Sequence, residues 1–260
     1  MKIIYLASID LAQHNAPANH VRECVTAMEM AHDVTLIHAR RTLFRRKSPV
    51  KCKKQISVFF PELRGGWRYF ERRVASMINK FETNHDAVFY LRFSPSTRIA
   101  NALVGVDGIK VLEVNGLEVA SHPSFKVMLD ASSLVLVGTE STRSHLLAAF
   151  PDIGDKVHIH SNIGVDFDNF SPNPRENARR TLGIPESVSI GLHVSGFQNH
   201  HDFDALIEAA VATNLKRPDF RMYLLGDGDR RPEVCKKASA LIQAGIVCMP
   251  GSVGPRTLRE

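Results

Sequence analysis

The apolar positions fall into two kinds of short run. Lys2 to Ser8 is too continuously apolar to alternate, the pattern of a strand covered on both faces. After a polar loop (Asp10 to Ala18), Val21, Cys24, Val25 and Met28 recur at helical spacing, and Asn19 is the predicted cap. DVTLIHA (33–39) reads as a second strand, which completes a β-α-β unit, the building block of a parallel sheet. QISVFF (55–60) is a third, and Trp67, Phe70, Val74, Met77, Ile78 and Phe81 mark one face of a long helix. AVFYLR, KVLEVN and LVLVG continue the strands, with helical stretches SPSTRIANALV and STRSHLLAAF between. KVHIHSNIGVDFDNFSPNP (156–174) opens as a further strand, for about seven in all, and runs into a Gly-Val-Asp step and a proline-punctuated linker.

The alternation then restarts. SIGLHVS (189–195) is a strand, and Phe203, Leu206, Ile207, Ala210 and Val211 stripe a helix that Asp202 can cap. FRMYLLG and IVCMPG are two more strands, around a helix with Pro232 near its start and Gly245 past its end. The predicted organisation is a first domain over 1–170, a linker over 171–178 and a second unit, β-α-β-α-β, over 179–260. The first is long enough for a full core. The second, at about 85 residues, is small for a sheet covered on both faces.

Composition changes this picture in three places. The formal charge of +6 is local: Arg40 to Lys54 holds eight Lys/Arg and no acid, and the rest of the chain is slightly acidic. A solvated loop and an anionic membrane surface are both open for Arg40, Arg41, Arg45, Arg46 and Lys47, since Leu43 and Phe44 interleave with them. Nucleic acid is not expected, because no binding motif or aromatic platform accompanies the cluster. The four cysteines form no C-x-x-C pair, which points away from disulfides and zinc and towards a reducing, cytoplasmic setting. His158 and His160 share a strand face with no third ligand in sight, so no metal is predicted.

Several stretches together resemble a known family. HSNIGVDFDNFSP is similar to the hinge signature P-N-G-V-D-x-x-x-F-x-P of retaining glycosyltransferases of the GT-B fold, the group one or family four type. RRTLGIP, HVSGFQNHHDFDALIEAA, LLGDGDRRPEV and MPGSVGPRTL follow in that family's order. The resemblance implies an α/β, GT-B-like fold of two Rossmann-like units with parallel sheets. It implies transfer of a sugar, with retention, from a nucleotide-diphosphate sugar to a lipid, polysaccharide or small-molecule acceptor, with no cofactor required. The family continues for about eighty more residues through an E-x7-E element, whereas this sequence stops at Glu260. The second unit is therefore expected to be incomplete, with SIGLHVS at an open edge that favours self-association or a partner chain. A non-catalytic remnant or binding partner is the alternative function.

Site residues follow from matched positions. Where the family offers an Arg and a Lys to the donor diphosphate, this chain has Gly196 and His201, so a titratable imidazole replaces a fixed charge. Gly251 and Val253 match the loop that approaches the nucleotide base. Asn115 matches a strand-end His that faces the transferred sugar; it can orient substrate but cannot shuttle a proton, and an Asn-Gly turn is the alternative. His14 and Asn15 occupy the first loop, where relatives carry a glycine-rich turn lining the cleft.

Overall fold

The computed structural model describes residues 1–13, 15–41, 50–61, 63–81, 86–92, 94, 96–116, 120–160, 170–171, 174–199, 201–254 and 258. His14, Arg45, Arg46, Lys47 and the hinge signature from Gly164 to Asp166 lie outside the described residues. The chain divides into two compact units, Met1–Gly164 and Val165–Glu260.

The first unit is a seven-stranded parallel sheet. Its strands are β1 (Lys2–Asp10), β2 (Asp33–Arg40), β3 (Lys54–Phe59), β4 (Ala87–Arg92), β5 (Ile109–Val114), β6 (Leu134–Val137) and β7 (Val157–Ile159), in the order β3-β2-β1-β4-β5-β6-β7. β1 lies at the centre, as its unbroken apolar run requires, with Ile4 and Tyr5 fully buried. On one face α1 (Ala16–Glu29) sets Ala18, Val21 and Val25 against Tyr5, Leu36 and Tyr90. On the other, α2 (Gly66–Ile78), α3 (Thr97–Val104), α4 (Pro123–Ala131) and α5 (Glu140–Ala149) bury Phe70, Leu103, Phe125 and Leu146 against Ile4, Phe89 and Leu112.

In this unit two helices depart from the sequence expectation. α1 is capped by Asn15, whose side chain accepts from Ala18 N–H at 2.9 Å, and not by Asn19, which lies inside the helix. Pro17 explains the earlier start, because its fixed φ suits the first turn and its missing N–H costs nothing there. α4 was not expected between KVLEVN and LVLVG. Parallel neighbours need a crossover, and Pro123 at its start with His122 as cap supplies one.

The second unit is a three-stranded parallel sheet, β10-β9-β8. α6 (Arg175–Leu182) opens it, so the predicted linker is helical from Arg175 onward. Then come β8 (Ser189–Val194), α7 (Phe203–Lys216), β9 (Phe220–Leu225), α8 (Arg231–Lys237), α9 (Ser239–Gln243) and β10 (Val247–Gly251). Asp202 caps α7 through Ala205 N–H, as predicted. β8 is an edge strand within this sheet, with Leu192 60% and Val194 49% exposed.

Candidate functional site

In the first unit the carboxyl ends of β1, β4 and β5 assemble a polar cluster. Residues two apart on a strand share a face, so Tyr90 and Arg92 on β4 stand with Glu113 on β5, and Tyr5 on β1 pairs with Tyr90 in register. The tyrosine rings stack at 4.7 Å. Glu113 is the centre, its side chain only 5% exposed. Its Oε1 accepts from His20 Nε2 (2.8 Å), Arg92 (2.8 Å) and Asn115 Nδ2 (2.6 Å). Its Oε2 accepts from the Tyr90 hydroxyl at 2.9 Å and the Tyr5 hydroxyl at 3.4 Å.

That donor set fixes the ionisation states. Burial pushes the Glu113 carboxyl up, but the hydrogen bond and charge of His20, with Asn115 and Arg92, outweigh it and hold the group down at about 2. The Cys24 sulfur, 3.6 Å from Nε2, and the Glu113 carboxylate hold the His20 imidazolium up at about 9 against the opposing effect of burial. His20 is therefore a cation at neutral pH and not a general base. Desolvation and the neighbouring Glu113 raise both tyrosine hydroxyls well above their ordinary value, so they remain donors.

Asn115 is exposed at the rim of this cluster. Because Nδ2 donates to Glu113, the carboxamide is oriented with Oδ1 left to accept a hydrogen bond, for example from a hydroxyl. Asn15 is committed elsewhere: Oδ1 caps α1 and Nδ2 donates to Gln13 at 2.9 Å. The loop after β1 is tied down by Arg22, which donates to the carbonyls of Leu11 (2.7 Å) and Gln13 (3.0 Å). Buried Asp10 adds to this by accepting from Ala12 N–H and Arg41 N–H.

In the second unit, the loops that leave β8, β9 and β10 converge at the carboxyl edge of the sheet. Ser195 N–H donates to Leu225 carbonyl (3.0 Å), Gly226 N–H to Gly251 carbonyl (2.9 Å) and Arg230 N–H to Phe197 carbonyl (3.0 Å). The β9 loop packs backbone against backbone on the β8 loop. A Cβ on Gly226 would stand 1.8 Å from Ser195 O, and one on Gly228 would stand 1.9 Å from Gly196 O. Both glycines also hold left-handed φ angles, +123° and +156°.

Phe197, at φ 45°, is the one non-glycine residue with positive φ among the described residues. Its conformation costs about 1 kcal/mol, and what it gains is a fully buried ring stacked on Phe203 at 4.5 Å. This turn carries Gly196 and His201 to the rim. Gly196 has room for a side chain, since a Cβ there would meet only Gln198 side-chain atoms, the nearest at 3.6 Å. His201 Nδ1 accepts from Gln198 N–H at 3.2 Å, so in this arrangement the ring's other nitrogen is the donor. Gly251 is knitted to β9 through its carbonyl, and Val253 follows it half-buried.

Sequence reasoning missed two arginines here. Arg230 donates to the His201 carbonyl at 3.1 Å, lies over the Phe203 ring at 5.9 Å and is paired with Glu233 at 3.1 Å, so it fixes the His201 backbone with its charge already partnered. Arg231 donates to the Met249 carbonyl at 3.1 Å, which links the start of α8 to β10. In the first unit His20, Arg92 and Glu113 were missed. A lone charge inside the apolar run VLEV was the available signal, because buried carboxylates are rare unless paired.

The two Rossmann-like units with parallel sheets place the chain in the GT-B-like fold class, as the sequence predicted. It superimposes on Anabaena HepE in complex with UDP with a TM-score of 0.71 at 15% identity, covering 99% of this chain and 71% of that one. UDP-GlcNAc 2-epimerase from Neisseria meningitidis bound to UDP-GlcNAc gives a TM-score of 0.59 at 11% identity, covering 100% of this chain and 74% of that one. In sequence the chain is similar to D-inositol 3-phosphate glycosyltransferase 2 of Catenulispora acidiphila, 28% identical over 98 residues, 38% of this chain and 23% of the relative. It is also similar to D-inositol 3-phosphate glycosyltransferase of Thermobispora bispora, 25% identical over 132 residues, 46% of this chain and 31% of the relative. The matches thus span less than a third of these relatives' lengths. No family model matches the chain.

Proposed function

We propose that this chain takes a nucleotide-diphosphate sugar on the strand-end loops of its second unit and transfers the sugar to an acceptor hydroxyl. The observation that carries the proposal is the convergence of the β8, β9 and β10 loops, held backbone to backbone at Gly226 and Gly228. In open parallel sheets, ligands bind outside the carboxyl ends of the strands. Arg231 supplies positive charge there and the outer ring N–H of His201 supplies a donor for a leaving diphosphate, with Arg230 held behind them by its pair with Glu233. The similar glycosyltransferases and the UDP and UDP-GlcNAc complexes of the neighbouring structures support this donor class. The donor is substrate, and no cofactor is invoked.

The acceptor is a lipid-linked, polysaccharide or small-molecule alcohol. In the transfer, the bond between the anomeric carbon and the diphosphate oxygen breaks and a bond from that carbon to the acceptor oxygen forms. In the first unit the Asn115 Oδ1 is left to orient a substrate hydroxyl by accepting its hydrogen bond, and the acceptor's proton leaves on the departing diphosphate. His20 does not take it, because it is already protonated. Retention of configuration belongs to the same proposal.

A second reading is a binding protein without turnover. Gly196 and His201 favour it, since they replace two fixed charges at the diphosphate position. Asn115→Ala separates the two. For a transferase it lowers kcat about tenfold through loss of one orienting hydrogen bond and leaves donor affinity unchanged, with the product anomer read by proton NMR. Donor binding with no sugar transferred by the unsubstituted chain would establish the second reading.

A further inference from the structure

We infer that His193, on β8, is a positioning residue for the turn that carries His201: its uncharged ring wedges that turn shut, and a proton on the ring opens it. The consequence for the donor rests on the proposed function, whereas the opening itself does not.

His193 and Gly191 lie on the core face of β8, in register with Leu224 and Met222. The imidazole stands edge-on to two aromatic neighbours, Phe203 at 5.7 Å and His201 at 5.9 Å. Phe203 in turn stacks on Phe197, the residue held at φ 45°. His193 therefore buttresses the stack that keeps a strained turn closed. Its Nε2 is buried and has no hydrogen-bond partner among the described residues. A polar atom left in that state costs stability, and an apolar side chain would pack there without the cost.

What the imidazole adds over an apolar wedge is a titration. Charging it places a hydrogen on both ring nitrogens, so the buried Nε2 would carry an N–H with no acceptor. The charged and titratable groups on the elements packed around it are His201, Asp202 and Asp204 at the start of α7, and Arg230, Glu233 and Lys237 at α8. The carboxylates are engaged: Asp202 caps α7, Glu233 pairs with Arg230 and Lys237, and Asp204 pairs with Lys237. Burial first, and then the charge of His201, hold the His193 imidazole below its ordinary value. The closed turn thus favours the neutral ring, and by linkage a proton favours the open turn. The open form gains population as pH falls below about 6.5, and the gain levels off below the depressed value.

Amide hydrogen exchange followed by NMR on the full chain, corrected for intrinsic rates, tests this at about pH 7.5 and about pH 5.5. The reporters are Arg230 N–H, which donates to the Phe197 carbonyl, and Phe203 N–H, which donates to the His201 carbonyl; Met222 N–H, bonded to the Ile246 carbonyl, is the core reference. Expected at the lower pH is a loss of reporter protection of at least about threefold relative to the reference in the wild type. The loss should be absent in His193→Leu and retained in His201→Gln. His193→Asn, which does not titrate, replaces the Leu variant should circular dichroism show that it does not fold. Calorimetry with a nucleotide-diphosphate sugar gives the second readout: the ratio of wild-type to His193→Leu affinity falls by the same factor between the two pH values. Wild-type protection that ignores pH, or an equal loss in His193→Leu, overturns the inference. If no donor binds, the proposed function fails, and the exchange result still decides the inference.

Discussion

Glu113→Gln is expected to lower the unfolding free energy by about 3–5 kcal/mol, the usual cost of leaving buried cations without their anion. Gln keeps the shape and one acceptor oxygen, so the loss reports charge and donor satisfaction and not a cavity. The same variant changes the pH dependence of stability. His20 has its folded pKa raised to about 9, so its contribution is complete below its ordinary value near 6.5 and is lost as pH rises through about 9. Glu113 has its folded pKa depressed to about 2, so its contribution is complete above its ordinary value near 4.5 and is lost as pH falls through about 2. The wild-type chain therefore gains from this pair most fully between those ordinary values, and urea unfolding shows stability falling on the alkaline side. In Glu113→Gln that alkaline slope flattens. A variant as stable as wild type, with the slope intact, would mean that the cluster is not the anchor of the sheet's carboxyl edge.

Gly226→Ala is expected to cost about 2–5 kcal/mol, from backbone strain at positive φ together with overpacking. The added methyl would stand 1.8 Å from Ser195 O, a backbone atom, so the β8 exit loop must move to admit it. Donor binding should be lost with it. Gly196→Ala is the matched contrast. Its Cβ finds no atom nearer than 3.6 Å and its φ is ordinary, so the change in urea-unfolding stability should stay within about 0.5 kcal/mol. Equal effects at the two glycines would show that the loops are not packed as described.

The strands were legible because each is a short apolar run bounded by polar turns, and parallel pairing followed from the helices between them. Helix α4 was not, since it is only nine residues long and opens on a proline. The requirement for a crossover between β5 and β6 carries more information there than the residues do. The polar cluster escaped notice for a different reason. Tyr5 and Tyr90 read as apolar strand residues, and their hydroxyls acquire meaning only when registry sets them beside Glu113 across three strands. His20 is distant from Glu113 in sequence and joins it only once α1 packs on the sheet.

In the second unit, the glycines of LLGDGD were visible as a motif, but which of them are sterically required was not. That depends on how closely the β9 loop approaches the β8 loop. The left-handed Phe197 has no sequence signature, because the position is one a glycine would normally fill. Arg230 was lost among the charges of GDGDRRPEV until its guanidinium was seen against the His201 carbonyl.

The central claim is that the converging loops of the second unit hold a nucleotide-diphosphate sugar. Calorimetric titration of the full chain with UDP-, GDP- and ADP-sugars tests it most directly. The account predicts saturable binding of one nucleotide class, in the micromolar to millimolar range typical of enzyme substrates, and its loss in Gly226→Ala. Heats indistinguishable from dilution for every donor, or undiminished binding by that variant, would contradict it.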